Sequence, residues 1–511
     1  MAIVREAEPT AAGRRRYELA NPATLAGIGS FECAGVQDVT AMVERAREAQ
    51  PGWAALGPAG RARYLRRALA HLVSHQDDLV DVIVRESGKP RTEALMIDVF
   101  AAADALSHTA RNAERWLRPE RARPHGVLRF TKKLHLQYQP LGVVGVISPW
   151  NGPLILSLNP ALQALVAGNT VVLKPSEVTP YSGKLAVDLF SRTGLPEGVF
   201  QVALGDGSTG AALVDSDIDK VHFTGSVATG RRIAESCAKR LVPYTLELGG
   251  NDAMIVCEDA DLDAAAGGAV TGAMFNTGQY CCGTERVYVM QEVAQEFTEK
   301  VVARVEALRQ GASGSFDVGP MCFEPQLEKV SAQVDQAVAS GATVLTGGGR
   351  NTDLDGLFYR PTVLTDVDHS MAVMSEETFG PVLPIVTVSS IDEAVKLAND
   401  TTYGLAGSVW TTDEQRGVQI ASRMHTGSVS VNDMAVTYGI PEAPFGGRGD
   451  SGVGQANGKL GVRGFTHIQP IIVDRFGGKQ TAQQYPYSRR GERTIQRLIK
   501  AIWGRGLRRF T

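Results

Sequence analysis

The chain has 511 residues, of which 43% are hydrophobic and 21% charged, and its net charge is −3. That length exceeds one compact core and predicts two or three domains, and the charge excludes a nucleic-acid binder as a whole. Six scattered cysteines, at 33, 237, 257, 281, 282 and 322, form neither a disulfide framework nor a CxxC metal pattern, and fit a reduced, cytoplasmic setting.

The first residues lack an apolar h-region, and no run of about 18 apolar residues occurs, so neither a signal peptide nor a spanning helix is expected. The first third reads as helical. Asp38 is placed to cap a helix that runs to Ala49 and is ended by Pro51. A second amphipathic pattern covers 61–86, and a third begins near Arg91. Residues 127–138 alternate apolar and polar, like an exposed antiparallel hairpin. From Gly142 the pattern alternates strand and helix: a strand at 142–148, an apolar helix at 154–167, a strand at 170–174 and a helix at 181–193. Segments 199–204, 209–214 and 220–224 continue the series, which predicts a mostly parallel sheet. A second α/β series has strands at 253–257, 286–290, 343–347 and 383–387. Residues 466–473 read as a further extended strand. From Tyr485 the tail carries eight Lys or Arg against Glu492 alone. Ile495, Leu498, Ile499, Ile502 and Trp503 share one helical face, with Arg493, Arg497 and Lys500 off it. Such a helix suits an anionic membrane surface, or docking on its own subunit or a neighbour.

In open parallel sheets ligands bind beyond the carboxyl ends of the strands, so the residues there are the candidates. The run Gly205 to Gly210 is a formal GxGxxG, but glycine is abundant and no acid follows about 20 residues on, so a turn explains it equally well. Gly225 to Gly230 is a glycine turn entering a helix, which offers backbone N–H groups to an anion or is a plain βα turn. Lys174, Ser176 and Glu177 end a strand; they suit ribose hydroxyls, or a surface ion pair. After 142–148 comes Trp150-Asn151. Asn151 either caps the apolar helix or aims its amide at an oxyanion. Glu247 lies between Leu246 and Leu248, ahead of two glycines. It is either a poorly solvated general base or a paired structural carboxylate. Cys281 and Cys282 are adjacent. Vicinal cysteines rarely bridge, and no local His supports zinc, which leaves buried thiols or a catalytic thiolate.

These candidates occur in one order: GVVGVISPWNGPL (142–154), AGNTVVLKPSE (167–177), FTGSVATG (223–230), LELGGN (246–251), GQYCC (278–282), EETFGPV (376–382) and PFGGRGDSGVG (444–454). In this the chain resembles the NAD(P)-dependent aldehyde dehydrogenases of the non-phosphorylating, hydrolytic type. The resemblance implies an α/β fold with two parallel-sheet domains and a small β oligomerisation extension. The dinucleotide-binding domain would be 1–123 with 141–248, the catalytic domain 249–448, the oligomerisation strands 124–140 and 449–478, and the basic amphipathic tail 479–511. It makes Cys281, second after Gly-Gln, the nucleophile and Cys282 a packing neighbour. Asn151 would hold the oxyanion and Glu247 would be the base. Trp150, Lys174, Ser176, Glu177, Gly225, Ser226, Gly230, Leu248, Glu377 and Phe379 would bind the cofactor, and no metal is implied. An acid at 177 would repel a 2′-phosphate, so NAD is expected over NADP.

Gly152 and Asn159 stand where relatives often carry aromatics, which predicts a wider substrate tunnel. Asn251 stands where Lys is frequent. No arginine is evidently placed for a substrate carboxylate. A bulky apolar or aromatic aldehyde is therefore expected. The alternatives are a succinate-semialdehyde-type dehydrogenase, a CoA-acylating enzyme, a thiol hydrolase using Cys281 alone, and a non-catalytic binding protein on this fold. An exposed two-strand ribbon invites a partner, so a homodimer or homotetramer is expected. The setting is cytoplasmic, with peripheral contact at the inner membrane face as the option the tail opens.

Overall fold

A computed structural model describes residues 3–10, 13–126, 128–434, 436–477 and 485–504. The chain divides into two compact units, Met1–Trp116 with Pro140–Phe465, and Leu117–Gln139 with Thr466–Thr511.

The larger unit opens with an antiparallel sheet of β1 (Val4–Ala7), β2 (Arg16–Ala20) and β3 (Gly27–Glu32). Helix α1 (Val36–Ala55) starts at an N-cap Gly35, so Asp38 sits in its first turn, where its carboxylate accepts the Gly35 N–H at 2.9 Å. Pro51 does not end α1. The last turn survives the missing N–H because Trp53 is buried there and its indole N–H bonds Leu165 O at 2.9 Å. The single helix expected at 61–86 is two, α2 (Gly57–Ser74) and α3 (Gln76–Ser87), parted where His75 leaves helical geometry at φ −127° and ψ 22°. A π-helical segment, Ala94–Phe100, then runs into α4 (Ala101–Leu117).

The smaller unit begins with β4 (Glu120–Ala122) and β5 (Lys132–Pro140). The expected hairpin is absent. Leu128–Thr131 is a short helix and Val127 lies outside the described residues. The alternation belongs to one strand, β5, whose partners are remote or upstream. Half-buried periodicity cannot tell two strands of a hairpin from a single longer strand that pairs with neighbours outside the segment.

Two large sheets fill the larger unit. The first contains β6 (Val143–Ile147), β7 (Thr170–Lys174), β8 (Phe200–Val202), β9 (Lys220–Thr224) and β10 (Tyr244–Glu247). Between them run α5 (Pro153–Ala167), α6 (Pro180–Ser191), α7 (Gly207–Asp215) and α8 (Val227–Arg240). The second contains β11 (Asp252–Val256), β12 (Thr284–Met290), β13 (Thr343–Thr346), β14 (Thr362–Thr365), β15 (Val382–Val388), β16 (Gly407–Trp410) and β17 (Ser430–Val431). Helix α9 (Leu262–Met274) follows β11. A short β18 (Gly452–Val453) joins the first sheet, giving the order β18-β10-β9-β6-β7-β8, and the second reads β13-β14-β15-β12-β11-β16-β17. All pairings are parallel except those of β18 and β13, the expected α/β architecture. The chain winds from β6 out to β8 and returns as β9 on the other side of β6. That switch point opens a crevice beyond the carboxyl ends of β6 and β9. The smaller unit closes with β19 (Thr466–Asp474), in the order β19-β5-β4, and carries a C-terminal helix, α10 (Arg489–Trp503). Among the described residues no helix is long and apolar enough to cross a membrane.

Candidate active site

A cleft of about 690 Å³ lies at the switch point. Of the sequence-predicted residues, Trp150, Asn151, Lys174, Ser176, Glu177, Gly225, Ser226, Glu247, Leu248, Cys281, Glu377 and Phe379 line it. Gly230 lies beneath: a Cβ there would come within 2.6 Å of Leu248, so the glycine lets α8 settle on that side chain. At one end, buried Lys174 pairs with Glu177 at 2.8 Å. Midway, Ser226 caps α8 by accepting the Thr229 N–H at 3.4 Å, and the helix presents its N-terminus at the cleft, a geometry that favours anions. Gly207 and Gly210 of the GxGxxG run also line the cleft, while Asp206 caps α7 through the Ser208 N–H at 2.9 Å.

At the other end the Glu377 carboxylate accepts the Gly250 N–H at 3.0 Å. Burial, then the neighbouring Glu285 charge, pushes its pKa up to about 7. A Cβ at Gly249 would lie 2.5 Å from the Glu377 oxygens, so a side chain there would displace that carboxylate. Phe379, at φ 54°, sets its ring edge-on to Trp150 at 5.5 Å. Asn251 is structural, its amide donating to Glu376 O at 2.8 Å.

Cys281 follows a backbone turn in which Asn276, Thr277 and Gly278 all have positive φ, at 54°, 59° and 71°. A Cβ at Gly278 would sit 2.0 Å from Gly380 O, so only glycine fits. Such a turn persists only when its surroundings over-determine it. Glu93 accepts the Asn276 N–H at 2.9 Å. The Gln279 amide donates to Asn276 O at 2.9 Å and accepts the Cys322 N–H at 2.7 Å. Gln279 therefore locks the turn that presents the half-buried Cys281. Cys282 is buried in an apolar cluster with Leu405, Ala406 and Phe445, against which Cys281 also packs. Its thiol is held well above the ordinary range, first by a hydrogen bond with Cys281 and then by burial.

Asn151 does not cap α5. The cap position is Gly152, and the first helical N–H groups, of Leu154 and Ile155, are taken by Asp98 Oδ1 at 3.0 and 3.4 Å. Asp98 is fully buried and paired with buried Lys89 at 3.3 Å. Lys89 also donates to Asn151 O at 2.8 Å, an oxygen that accepts the Asn276 amide as well, at 2.9 Å. The Asn151 side-chain amide thus faces Cys281's turn, donating one hydrogen to Gln279 O at 3.1 Å. Glu247 ends β10 and is 4% exposed, and neither carboxylate oxygen has a hydrogen-bond partner of normal geometry among the described residues. Burial, then the Cys281 charge, raises its pKa well above the usual carboxylate range, with the Ala456 backbone the one opposing influence. The paired-carboxylate reading fails here, because no cation faces Glu247 among the described residues.

A second cavity, of about 280 Å³, meets the first at Asn151, Leu156 and Cys281. Met96, Ile97, Ile155, Phe275, Met434 and Tyr438 give it an apolar wall, Gly152 opens it, and Asp433 is the one charged lining residue among those described. Asn159 is not on that wall. It lies behind, donating to the Tyr438 hydroxyl at 3.1 Å and to Asn457 at 2.8 Å. Lys89, Glu93, Asp98, Asn276 and Tyr438 escaped the sequence reading, since none sits in a block with a spacing signal.

The family model described as "Aldehyde dehydrogenase family" matches residues 9–471. The chain belongs to that family. It is an enzyme of the NAD(P)-dependent aldehyde dehydrogenase class, as the motif blocks implied. A protein of Mycobacterium ulcerans (strain Agy99), named as a succinate-semialdehyde dehydrogenase [NADP(+)], is 40% identical over 89% of this chain and 87% of its own length. A 4,4′-diapolycopene aldehyde oxidase of Methylomonas sp is 36% identical over 93% and 89%. The crystal structure of a Mycobacterium tuberculosis aldehyde dehydrogenase complexed with NAD+ superposes with a TM-score of 0.86 at 36% identity, covering 91% of this chain and 95% of that one.

Proposed function

We propose that this enzyme oxidises a bulky apolar or aromatic aldehyde to its carboxylic acid, with NAD preferred over NADP, through Cys281. The observation that carries the reading is the position of Cys281 where the larger cleft and the apolar cavity meet, with Asn151 lining both and Glu247 lining the cleft. The cleft fits a dinucleotide. The Lys174–Glu177 pair would hold the adenosine ribose, aided by Ser176, and Gly225 and Ser226 at the α8 N-terminus would hold the pyrophosphate. Glu377 would hold the nicotinamide ribose, with Trp150, Leu248 and Phe379 packed about the ring. When bound, the nicotinamide supplies the hydride acceptor.

The chain's own groups do the rest. The Cys281 thiolate adds to the aldehyde carbon, which turns the carbonyl oxygen into an oxyanion. The free hydrogen of the Asn151 amide and the Cys281 N–H receive that charge; losing one such donor typically costs about 10²–10³ in rate. Lys89 and Asp98 fix Asn151 in place. After oxidation, Glu247 takes a proton from the water that releases the acid from the Cys281 thioester. Burial without a cation makes it a base of the needed strength.

The mycobacterial relatives carry succinate semialdehyde and NADP in their names. A dicarboxylic semialdehyde needs a cation in the cavity, yet the described lining offers none and presents Asp433. A carboxylate at 177 likewise favours NAD. Glu247 disfavours a CoA-acylating product, which needs no hydrolytic base. The reading includes a cytoplasmic homodimer or homotetramer, with peripheral membrane contact. Its domains are 1–123 with 141–248 for the dinucleotide, 249–448 for catalysis, 124–140 with 449–478 for assembly, and the 479–511 tail.

The test is reduced-nicotinamide formation with NAD and then NADP, across aliphatic, aromatic and semialdehyde substrates, beside Cys281→Ala. Turnover that is fastest with apolar aldehydes and NAD, and absent in the variant, supports the reading. A preference for succinate semialdehyde overturns the substrate, and turnover in Cys281→Ala overturns the mechanism.

A further inference from the structure

Charge is divided unevenly between the two units. The smaller one contains sixteen Lys and Arg against three Asp and Glu, a net +13, whereas the whole chain is −3. The larger unit is therefore −16 by sequence. Inside the smaller unit, α10 begins at Ser488, whose hydroxyl accepts the Gly491 N–H at 3.0 Å. The helix buries no residue. Ile495, Leu498, Ile499 and Trp503 lie on one face at 39%, 44%, 51% and 63% exposure. Arg489, Arg490, Arg493, Arg497 and Lys500 make no ion pair among the described residues. The three-stranded sheet of the same unit adds a groove lined by Arg121, Arg123, Lys133, His135 and Arg475.

We infer that α10 lies in the headgroup region of an anionic phospholipid surface, apolar face down, with the basic charge of its unit adding attraction. An interfacial helix is marked by a strong division into apolar and cationic faces, by too few apolar residues to be buried all round, and by an aromatic on the apolar side. Fifteen residues span only about 22 Å, and five cations among them bar insertion across a bilayer. Nucleic acid would use the charge but leave the apolar face in water. A second copy would use the apolar face but leave the cations facing the net basic unit of its neighbour, unless it docked on the acidic one. A lipid surface satisfies both at once. This extends the peripheral contact in the proposed function and stands without the substrate assignment, although an apolar aldehyde dissolves in the same surface.

The experiment is co-sedimentation of the full-length protein with vesicles of phosphatidylcholine alone and of phosphatidylcholine with phosphatidylglycerol. Turnover of a water-soluble aldehyde serves as the folding control. Binding is expected only to the anionic vesicles, weakening as salt shortens the Debye length from roughly 30 Å at 0.01 M to roughly 3 Å at 1 M. Arg493→Gln with Arg497→Gln lowers the partition coefficient about 25-fold, at about fivefold per charge near the surface. Leu498→Ser with Ile499→Ser lowers it about tenfold or more. Both pairs keep wild-type turnover. No sedimentation with anionic vesicles at low salt overturns the inference. So does binding untouched by the Leu498/Ile499 pair, which would indicate a polyanion site such as one for nucleic acid. A fall in oligomeric mass in that pair, without vesicle binding by the wild type, overturns it too and assigns the face to a second copy. Silent turnover in a vesicle-binding wild type sinks the proposed chemistry and leaves this inference standing.

Discussion

Replacing Lys89 by Met removes the one cation from a buried cluster and should cost both stability and rate. Lys89 is 3% exposed and Asp98 is 0% exposed. Without the ammonium, the carboxylate keeps only the Leu154 and Ile155 N–H groups and the N-terminal dipole of α5. Stripping one partner from a buried ion pair costs roughly 3–5 kcal/mol. The two remaining charge-assisted bonds offset part of this, which puts the expected loss near the lower end, about 3 kcal/mol. A neutral amide at position 98 would still accept a helix N–H and needs no counter-ion. Adding Asp98→Asn to Lys89→Met should therefore recover about 1–2 kcal/mol. The rate falls for a separate reason. Lys89 holds Asn151 O at 2.8 Å, and without it only the Asn276 amide keeps that backbone in place. A misplacement of about 1 Å near the reacting atoms costs about 10²-fold. Thermal unfolding of Lys89→Met and the double variant, with kcat on one soluble aldehyde, reads both effects. If Lys89→Met melts with the wild type, or the double variant is the less stable of the two, the buried-pair account is wrong. If kcat holds while stability drops, Lys89 supports the fold and does not position Asn151.

Glu247→Gln keeps the shape of the site and removes the base. It should give a burst of one reduced nicotinamide per active site, then turnover slowed by about 10²–10⁴-fold; a slowed burst would move Glu247 to an earlier step. Gly152→Phe should fill the apolar cavity and lower kcat/KM for bulky aldehydes at least about tenfold against a two-carbon aldehyde. Equal losses for both would show that the cavity does not select by size. Glu93 carries a carboxyl pKa raised from 4.5 to about 7 by burial. The folded state therefore binds the proton more tightly than the unfolded chain. The stability this gives below pH 4.5 is lost as pH rises through about 7, on the order of 3 kcal/mol. Glu93→Gln should flatten that decline in melting temperature, and an unchanged pH profile would show that Glu93 titrates normally.

The blocks that carried the sequence reading share a structural address. Lys174, Ser226 and Glu247 each stand at or just past the carboxyl end of a parallel strand, where local patterning marks the strand and the break after it. The strands 170–174 and 220–224 were legible to the residue for that reason, the first as an apolar run and the second as a short run around Val221 and Phe223, each bounded by polar or glycine turns. What patterning could not show is what reaches the site from elsewhere. Glu93 meets Asn276 across 183 positions and Lys89 meets Asn151 across 62, with no periodicity linking them. Asn159 read as a tunnel residue because relatives often carry an aromatic there; its helix is buried on all sides, so the sequence gives no hint of which face meets the cavity. Pro51 read as a terminator because the indole bond that holds the next turn is tertiary.

The residues that were hidden are also those that hold the visible ones in place. Three successive positive-φ residues, about 1–3 kcal/mol of strain for each non-glycine one, set Cys281 between the cavities. Glu93 and Gln279 hold that turn by backbone hydrogen bonds, while Lys89 and Asp98 hold the opposing Asn151. Glu247 lines the same cleft as Cys281 and Asn151, with no cation facing it among the described residues. A cation beside it would lower its pKa and stabilise the fold, but it would also make the carboxylate too weak a base to draw a proton from water. Lys89, buried in the same region, is instead directed at Asp98 and the Asn151 carbonyl. The placement of charge thus keeps the ion pair on the scaffold and leaves the cleft acid without a cation among the described residues, which is the arrangement the proposed chemistry requires and stability alone would not favour.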